Sequence, residues 1–542
     1  MNEVLCKIGK NSIRQIVSEN QTLLGVDTVV DSWRNSVHPT PSVPGQDGLR
    51  PPQCGALFAI KAHWTVSEEP ATIVMPTGTG KTETMIATVV SEQIKRALVV
   101  VPSDLLRKQT AQKFLTLGIL TKIGVIAENV YTPSVATLRS TPENEAELHE
   151  IIENSNIIVT TVTLLQRFPS SYFSMISSMC DILIVDEAHH IAAKTWSHVK
   201  YSLQDLRCIQ FTATPFRNDG KKLDGRIIYN FPLALAQEQG YFQQINYFPI
   251  WEFDEEKGDL AIAQAAVEQL TNDLNAGYSH AVLVRAKDKK TADRLYNDIY
   301  LPLFANFNPV LIHSGVSTSE KQRRMKALRT GTAKIVVCVD MFGEGIDIPN
   351  LKIAAVHNKY KSLPITLQFI GRFARTSNGL GCATVITNIA NDELNESLQD
   401  LYAQDADWNK LLNIKSSSEI NKEIDDQEFA HGFNFPSLNG VTIQQMRPKI
   451  SMTAYIATDK NWNIAILDQL FDPDKYVYAV NSERNVIIIV ERVDMHASWT
   501  SFKGISDTTR HLHLAYWNTK TKILYINSTI KGFPDILAKA LF

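Results

Sequence analysis

The segment Met75-Pro76-Thr77-Gly78-Thr79-Gly80-Lys81-Thr82 constrains the chain more than any other, because a short apolar run, Thr72–Met75, leads into it and a helical pattern, Lys81–Lys95, leads out. A strand that passes through a glycine loop straight into a helix is the first half of a βαβ unit, and such units build parallel sheets. The glycines let the loop curl until several backbone N–H groups point inward, which suits a phosphate chain. Pro76, Thr77, Gly78, Thr79 and Gly80 are therefore the expected cradle, with Lys81 reaching the terminal phosphates and the Thr82 hydroxyl available to Mg²⁺. Met75 stands where the general pattern has its first glycine.

From about Leu49 to Tyr247 short β-branched runs alternate with helical patterns. The expected strands are Thr72–Met75, Ala97–Val101, Asn156–Thr160, Asp181–Val185 and Cys208–Thr212, each apolar enough to be covered on both faces. After a helical stretch at Asp259–Ala276 a second series follows: His280–Val284, Pro309–Ile312, Lys334–Val339, Lys352–His357 and Ala383–Thr387. The fold class is α/β, with two tandem doubly wound parallel-sheet domains at 49–247 and 248–415 and a cleft between them. Residues 1–48 read as a helical extension with a Pro-rich connector, since five prolines fall between Pro39 and Pro52. Leu398–Leu412 reads as helical, and the polar stretch Ser416–Glu428 reads as a linker. Residues 416–542 thus comprise that linker and a small β-rich (α+β) C-terminal domain. Its hairpin signals are Tyr476–Val480 with Asn485–Arg492 and Arg510–Trp517 with Lys522–Asn527, and a last helix falls at Asp535–Phe542.

Composition narrows the function classes. With 54 Lys and Arg against 57 Asp and Glu, the net charge of −3 excludes a uniformly basic chain, so any nucleic-acid binding must use a local groove. Six widely spaced cysteines form no CxxC pair, which removes zinc-ribbon, iron–sulfur and disulfide-scaffold readings and suits reduced thiols in the cytoplasm. Lys7, Lys10 and Arg14 interrupt the N-terminus, so no secretory leader is expected, and no apolar run reaches the ~18 residues of a membrane span.

A second chemical element is Ile182-Leu183-Ile184-Val185-Asp186-Glu187-Ala188-His189. An apolar strand that ends in two carboxylates delivers them to the carboxyl edge of the sheet, where open α/β folds bind ligands. Asp186 is the expected Mg²⁺ ligand, and Glu187 the group that orients and deprotonates an attacking water. The adjacent His189 and His190 would point apart on a helix, which disfavours a metal pair.

On these residues the chain resembles superfamily 2 helicases and translocases of the DExH (DEAH-box) type, and further motifs continue in that family's order over about 49–400. The resemblance implies two RecA-like lobes, ATP and Mg²⁺ as cofactors, and nucleic acid as partner. Leu49-Arg50-Pro51-Pro52-Gln53 resembles the adenine-recognising element, with Gln53 on the base edge. Pro102, Ser103 and Thr161 resemble strand-end contacts to nucleic-acid phosphates, as do Ser314 and Gly315 of His313-Ser314-Gly315 in the second lobe. Thr212 and Thr214 of Phe211-Thr212-Ala213-Thr214-Pro215, with His189, resemble the elements coupling hydrolysis to movement. Gly345 and Asp347 resemble nucleotide contacts, and Gln368, Arg372 and Arg375 the arginine-finger set. A guanidinium from across the cleft neutralises charge on the transferred phosphoryl group, so hydrolysis requires the lobes to close.

Thr214-Pro215-Phe216-Arg217-Asn218-Asp219-Gly220 resembles the form found in type III restriction (Res-subunit) motors and DNA repair translocases, which implies DNA and, by analogy, a nuclease or phage-defence partner. An RNA helicase of the same superfamily and an ATP-gated clamp with little turnover are the competing readings. The basic stretches Lys321–Arg329 and Lys287–Arg294 read by default as solvated helix faces, with a phosphate-tracking surface as the alternative. In the C-terminal region His511 and His513 read as structural, Trp499, Phe502 and Lys503 are candidates for base stacking although core packing is the commoner role of aromatics, and Glu491-Arg492 lacks a nuclease pattern.

Overall fold

The computed structural model describes residues 2–17, 22–188, 193–213, 225–339, 348–358, 369, 373, 380–390, 408–434, 446, 448, 452–456, 462–496 and 506–542. The chain divides into two compact units, Met1–Ile420 and Asn421–Phe542.

The first unit holds two sheets. Its nine-stranded sheet comprises β1 (Asn2–Ile8), β2 (Asn11–Val17), β3 (Ala71–Val74), β4 (Ala97–Val101), β5 (Val135–Thr137), β6 (Ile157–Thr161), β7 (Ile182–Asp186), β8 (Arg207–Thr212) and β9 (Arg226–Asn230). The order is β1-β2-β5-β6-β4-β7-β8-β3-β9. From β5 to β9 every pairing is parallel, whereas β1 and β2 form an antiparallel hairpin that joins β5 antiparallel at the edge. Every residue of β3, β4, β6 and β7 is buried, as continuous apolar runs require. The alternation of a pleated strand then sorts side chains into two cores. Val99, Ile184 and Ile209 fall on one face, and Leu98, Leu183 and Cys208 on the other. The helices that bear on function are α1 (Val26–Ser32), α2 (Pro51–Val66), α3 (Lys81–Ser91) and α4 (Asp104–Leu115).

The second sheet, β10 (Ile245–Ile250), β11 (Ala281–Ala286), β12 (Val310–Ile312), β13 (Ile335–Val339), β14 (Leu351–Val356) and β15 (Ala383–Asn388), is parallel throughout in the order β10-β15-β14-β11-β13-β12. The helix Glu255–Asn275 lays Ile262, Ala266 and Leu270 into the core shared with Val282, Val284 and Ile353. The α/β doubly wound class expected from the sequence is the observed one.

The other unit carries an antiparallel sheet, β16 (Thr453–Ile456), β17 (Tyr476–Asn481), β18 (Val486–His496), β19 (Ser506–Asn518) and β20 (Ile523–Ser528), in the order β16-β20-β19-β18-β17. The final helix Phe533–Leu541 packs Leu537 and Leu541 with Ile487, Ile489 and Trp517. Both expected hairpins form.

Three expectations are corrected. The N-terminal extension, expected to be helical, is mostly strand: β1 and β2 fill most of the first 17 residues, and among the described residues before Pro39 only α1 is helical. In β2 burial alternates strictly residue by residue, a period of two that no amphipathic helix can show. The polar stretch Ser416–Glu428, expected as a linker, is helical, part of the helix Trp408–His431, because its Glu, Lys, Gln and Ile residues are adequate helix formers, and the division between the two compact units falls within it. A boundary at 247/248 would cut β10, whose whole length pairs with β15 of the second sheet. No helix among the described residues is long and apolar enough to cross a membrane.

Candidate active site at the carboxyl edge of the first sheet

β3 ends against β8, and Met75 N donates to Thr212 O at 2.9 Å, so the glycine loop starts from a fixed point. The loop turns on Gly78 (φ +90°) and Gly80 (φ +95°), a region costly for any residue with a Cβ. At Gly80 space is a second constraint, since a Cβ would lie 2.1 Å from Gln53 Nε2. Thr79 Oγ1 donates to Pro76 O at 2.7 Å and closes the loop on itself. α3 begins at Lys81, and its first-turn N–H groups face the loop side, the arrangement that attracts anions.

β7 lies on the other side of β8 and brings Asp186 and Glu187 to the same edge. Lys81 Nζ sits 2.9 Å from Glu187 Oε1, with the side chains 9% and 20% exposed. The buried ammonium makes this ion pair but no hydrogen bond of good geometry. Its donors are therefore available to a further oxygen ligand. Burial, then the neighbouring Glu187 charge, pushes the Asp186 carboxyl up to about 7, against the pull of Lys81. A dication beside Asp186 would offset both causes, so the donor set fits a magnesium–phosphate group. Glu187 itself adopts φ +48°, an uncommon conformation for a non-glycine residue, and its N–H is held by Asp186 Oδ1 at 3.0 Å.

The structure gathers many of the residues singled out in the sequence along this edge. Thr212, buried at the end of β8, lies between the loop and the carboxylate pair. Val101 of β4 pairs with Thr161 of β6, so Pro102, Ser103 and Thr161 are neighbours. Both hydroxyls also cap helices: Ser103 Oγ accepts from Leu106 N at 3.4 Å and Thr161 Oγ1 from Leu164 N at 3.3 Å. In the second sheet Ser314 and Gly315 follow β12, where Gly315 N donates to His313 Nδ1 at 3.0 Å and His313 Nε2 meets Asp293 at 2.9 Å. His189, Thr214, Gly345, Asp347, Gln368, Arg372 and Arg375 lie outside the described residues, as do Trp499, Phe502 and Lys503. The basic stretch Lys321–Arg329 lies on the helix Thr318–Arg329, where Arg323 and Arg324 pair with Glu320.

Gln53 takes a position that its motif alone does not specify. Its Oε1 accepts from Arg50 N at 2.8 Å and its Nε2 donates to Gly80 O at 3.4 Å, so the amide ties the start of α2 to the loop. Two residues not singled out stand beside it. Arg50 donates to Gly78 O at 2.9 Å, and its guanidinium lies 5.3 Å over the Tyr241 ring. Arg50 could have been picked out as the cation next to Gln53. Tyr241 has no local signal, being far along the chain.

Residues 46–217 match the family model for the type III restriction enzyme res subunit, and residues 264–377 match the helicase conserved C-terminal domain. The chain belongs to the superfamily 2 helicases. It is related to the Res-subunit-like motors, and its two helicase domains imply an ATP-hydrolysing enzyme. This helicase is 23% identical over 275 residues to Putative helicase 22 of Sulfolobus islandicus filamentous virus, covering 43% of this chain and 47% of that protein. It is 23% identical to UvrABC system protein B of Chlamydia pneumoniae, covering 46% of this chain and 40% of that one. The matched stretches thus span less than half of either relative. Among solved structures it is similar to a fragment of a putative HsdR subunit of a type I restriction enzyme from Vibrio vulnificus, at 16% identity and a TM-score of 0.48, covering 75% of this chain and 78% of that one.

Proposed function

We propose that this helicase is an ATP-driven DNA motor, a helicase or duplex translocase, in which hydrolysis at the edge of the first sheet is coupled to movement along DNA. The observation that carries the reading is the buried Lys81–Glu187 pair between a left-handed glycine loop and a carboxylate-ended strand. Lys81 binds the terminal phosphate oxygens, which compete with Glu187 for its ammonium. Glu187, once released, orients a water and takes its proton. Thr82 and Asp186 would hold magnesium, which when bound would supply charge neutralisation on the phosphate oxygens. Thr77 to Gly80 cradle the phosphates through backbone N–H groups with Pro76 setting the start of the loop, Gln53 lies beside the loop as the base-side contact, and Gly345 and Asp347 add nucleotide contacts. Gln368, Arg372 and Arg375 act from the second lobe, and Thr212, Thr214 and His189 transmit the change. Pro102, Ser103, Thr161, Ser314 and Gly315 hold the nucleic-acid backbone.

DNA is preferred because the restriction-enzyme family model spans the first lobe from 46 to 217. A shared stretch with a pre-mRNA-splicing RNA helicase of Cryptococcus neoformans, 30% identical over 125 residues, makes RNA the alternative to test. A nuclease or defence-complex partner belongs to the same proposal, by analogy with restriction systems. So does a cytoplasmic location, supported by six free cysteines. The test is phosphate release from ATP with single-stranded DNA, duplex DNA or RNA, with fork unwinding followed in parallel. Stimulation by DNA over RNA is expected. Stimulation by RNA alone would replace DNA with RNA, and tight ATP binding without turnover would favour the clamp.

A further inference from the structure

The β1–β2 hairpin carries a feature that the motor reading leaves unused. Together with α4 and the end of β5 it encloses a groove of about 630 Å³ whose lining includes Lys7, Lys10, Arg14, Lys108 and Arg139. Of these five cations only Arg14 has a carboxylate partner among the described residues, Glu3 at 3.4 Å. Arg107, one residue from Lys108 and 5% exposed, pairs with Asp104 at 3.0 Å through Nη1 but has a buried Nε without a hydrogen bond; burial first, and the Arg139 charge after it, disfavour its charged form, against the pull of Asp104. Glu147, a carboxylate at the hairpin turn, is engaged by Asn11 Nδ2 at 3.3 Å and Glu143 N at 2.7 Å. So much unmatched positive charge in one concavity costs electrostatic energy unless an anion shares it.

The hairpin is fixed, not a loose arm. Asn11 Oδ1 accepts from the backbone N–H groups of Arg139 and Ser140 at 2.8 and 3.2 Å, which locks the Gly9-Lys10 turn beside Arg139. Gln15 Nε2 donates to Thr132 O at 2.9 Å, and Thr132 Oγ1 donates to Ile16 O at 2.8 Å. Register places the groove. Ser12 pairs with Thr137, the last residue of β5, and Thr137 pairs with Val159 of β6. The turn therefore stands at the same carboxyl edge as Ser103 and Thr161. The sheet order there runs β4, β6, β5, β2, so the turn lies three strand spacings, ~14 Å, from Ser103. At ~3.4 Å per nucleotide along one strand of a duplex, that is about four nucleotides.

We propose that this groove is a phosphodiester-binding subsite that extends the motor's nucleic-acid track beyond the ends of β4 and β6. The proposal rests on the motor reading, and it assigns the N-terminal hairpin to backbone contact without base selection. Exposed aliphatic stems, such as those of Lys7 and Lys10, let the ammonium groups follow a backbone of any sequence.

The test is the triple variant Lys7→Ala, Lys10→Ala and Arg139→Ala in the full chain, with DNA binding read by fluorescence anisotropy over a salt series. Affinity at low salt should fall at least about tenfold, and the slope of log K against log salt should become shallower by about 2–3. ATP hydrolysis without DNA and the melting temperature should stay at wild-type values, since none of the three touches the nucleotide site. Unchanged affinity and slope in the variant would overturn the subsite and leave the motor reading standing. Wild-type protein that binds no nucleic acid would instead overturn the motor reading itself. Inorganic phosphate displacing DNA beyond the effect of chloride at equal ionic strength, and doing so only when the three cations are present, would overturn the backbone assignment in favour of a small-anion site.

Discussion

Replacing Glu187 by Gln separates catalysis from stability, because the two effects draw on different parts of one contact. In the native chain Glu187 Oε1 lies 2.9 Å from Lys81 Nζ. The amide keeps an oxygen there but gives up the charge; because Asp186 stays beside the ammonium, the lost ion-pair attraction should be roughly 1 kcal/mol. Against that loss, the neutral side chain no longer repels the buried Asp186 carboxylate, whose pKa it helps to raise. The net change in stability should stay within about 1 kcal/mol, a shift of roughly 2–4 °C for a lobe of this size. Turnover is another matter. A side chain that takes a proton from water in the transition state contributes about 10²–10⁴-fold, or roughly 3–5 kcal/mol. DNA-stimulated phosphate release should therefore collapse while the melting curve barely moves and a non-hydrolysable ATP analogue still binds. Lys81→Ala should behave differently. It leaves Asp186 and Glu187 side by side without their cation, and removing one member of a buried pair costs up to about 3–5 kcal/mol. That variant should lose nucleotide affinity as well as turnover, and melt lower. Wild-type hydrolysis by Glu187→Gln, or lost hydrolysis explained entirely by a collapse in melting temperature, would refute the assignment.

Other perturbations test the scaffold. Asp259 is buried under the second sheet, where burial opposes its ionisation but His357 Nδ1 at 2.6 Å and Arg294 hold its carboxyl below the usual range; Asp259→Ala should cost about 3 kcal/mol, read as a lower melting temperature of the first unit, with Asp259→Asn milder. His513 is fully buried on β19, and burial followed by His511 pulls its pKa down from 6.5 to about 4. The unfolded chain therefore takes up the proton first as pH falls, so the C-terminal unit should lose about 3 kcal/mol between pH 6.5 and pH 4, and His513→Phe should flatten that part of the stability profile. Burial pushes the Cys180 and Cys208 thiols up to about 12, whereas Cys382 is exposed; alkylation of the native protein should modify Cys382 first and spare the other two until unfolding.

How much of this was legible in the sequence depends on how local each signal is. β4 was read to the residue, and β3, β6, β7 and β8 to within one residue at each end, because continuous Ile, Val and Leu runs have no other home than a sheet covered on both faces. The Lys81 loop and the Asp186-Glu187 pair were legible for the same reason: their chemistry is written in adjacent residues. β5, three residues long, and β9, whose residues are only partly buried, carry too few apolar side chains to stand out. β1 and β2 were missed because Lys7, Lys10 and Arg14 break the apolar count, although the exposed Lys7, the turn residue Lys10 and the half-buried Arg14 stand where a half-buried hairpin leaves room for charge. Tyr241 over Arg50 was beyond reach, since only the tertiary fold brings them together.

The backbone at Glu187 explains why the loop and the carboxylates have to be considered as one unit. An L-residue in the left-handed region costs roughly 1–2 kcal/mol. Asn35, Gln93 and Leu117 also adopt positive φ, but each follows the end of a helix, where that conformation closes the last turn. Glu187 follows a strand and has no such reason. Among the contacts that hold it are the Asp186 carboxylate on its N–H and the Lys81 ammonium on its side chain, one from its own strand and one from the glycine loop. Between those two elements runs β8, whose Thr212 carbonyl binds Met75 and whose Phe211 pairs with Asp186. Loop, strand end and central strand therefore share one set of contacts, and an anion that draws Lys81 away from Glu187 removes part of what offsets the strain. On the proposed function, phosphate binding and the freeing of the base are the same event, which is why a catalytic glutamate gains from sitting in a conformation that its own backbone disfavours.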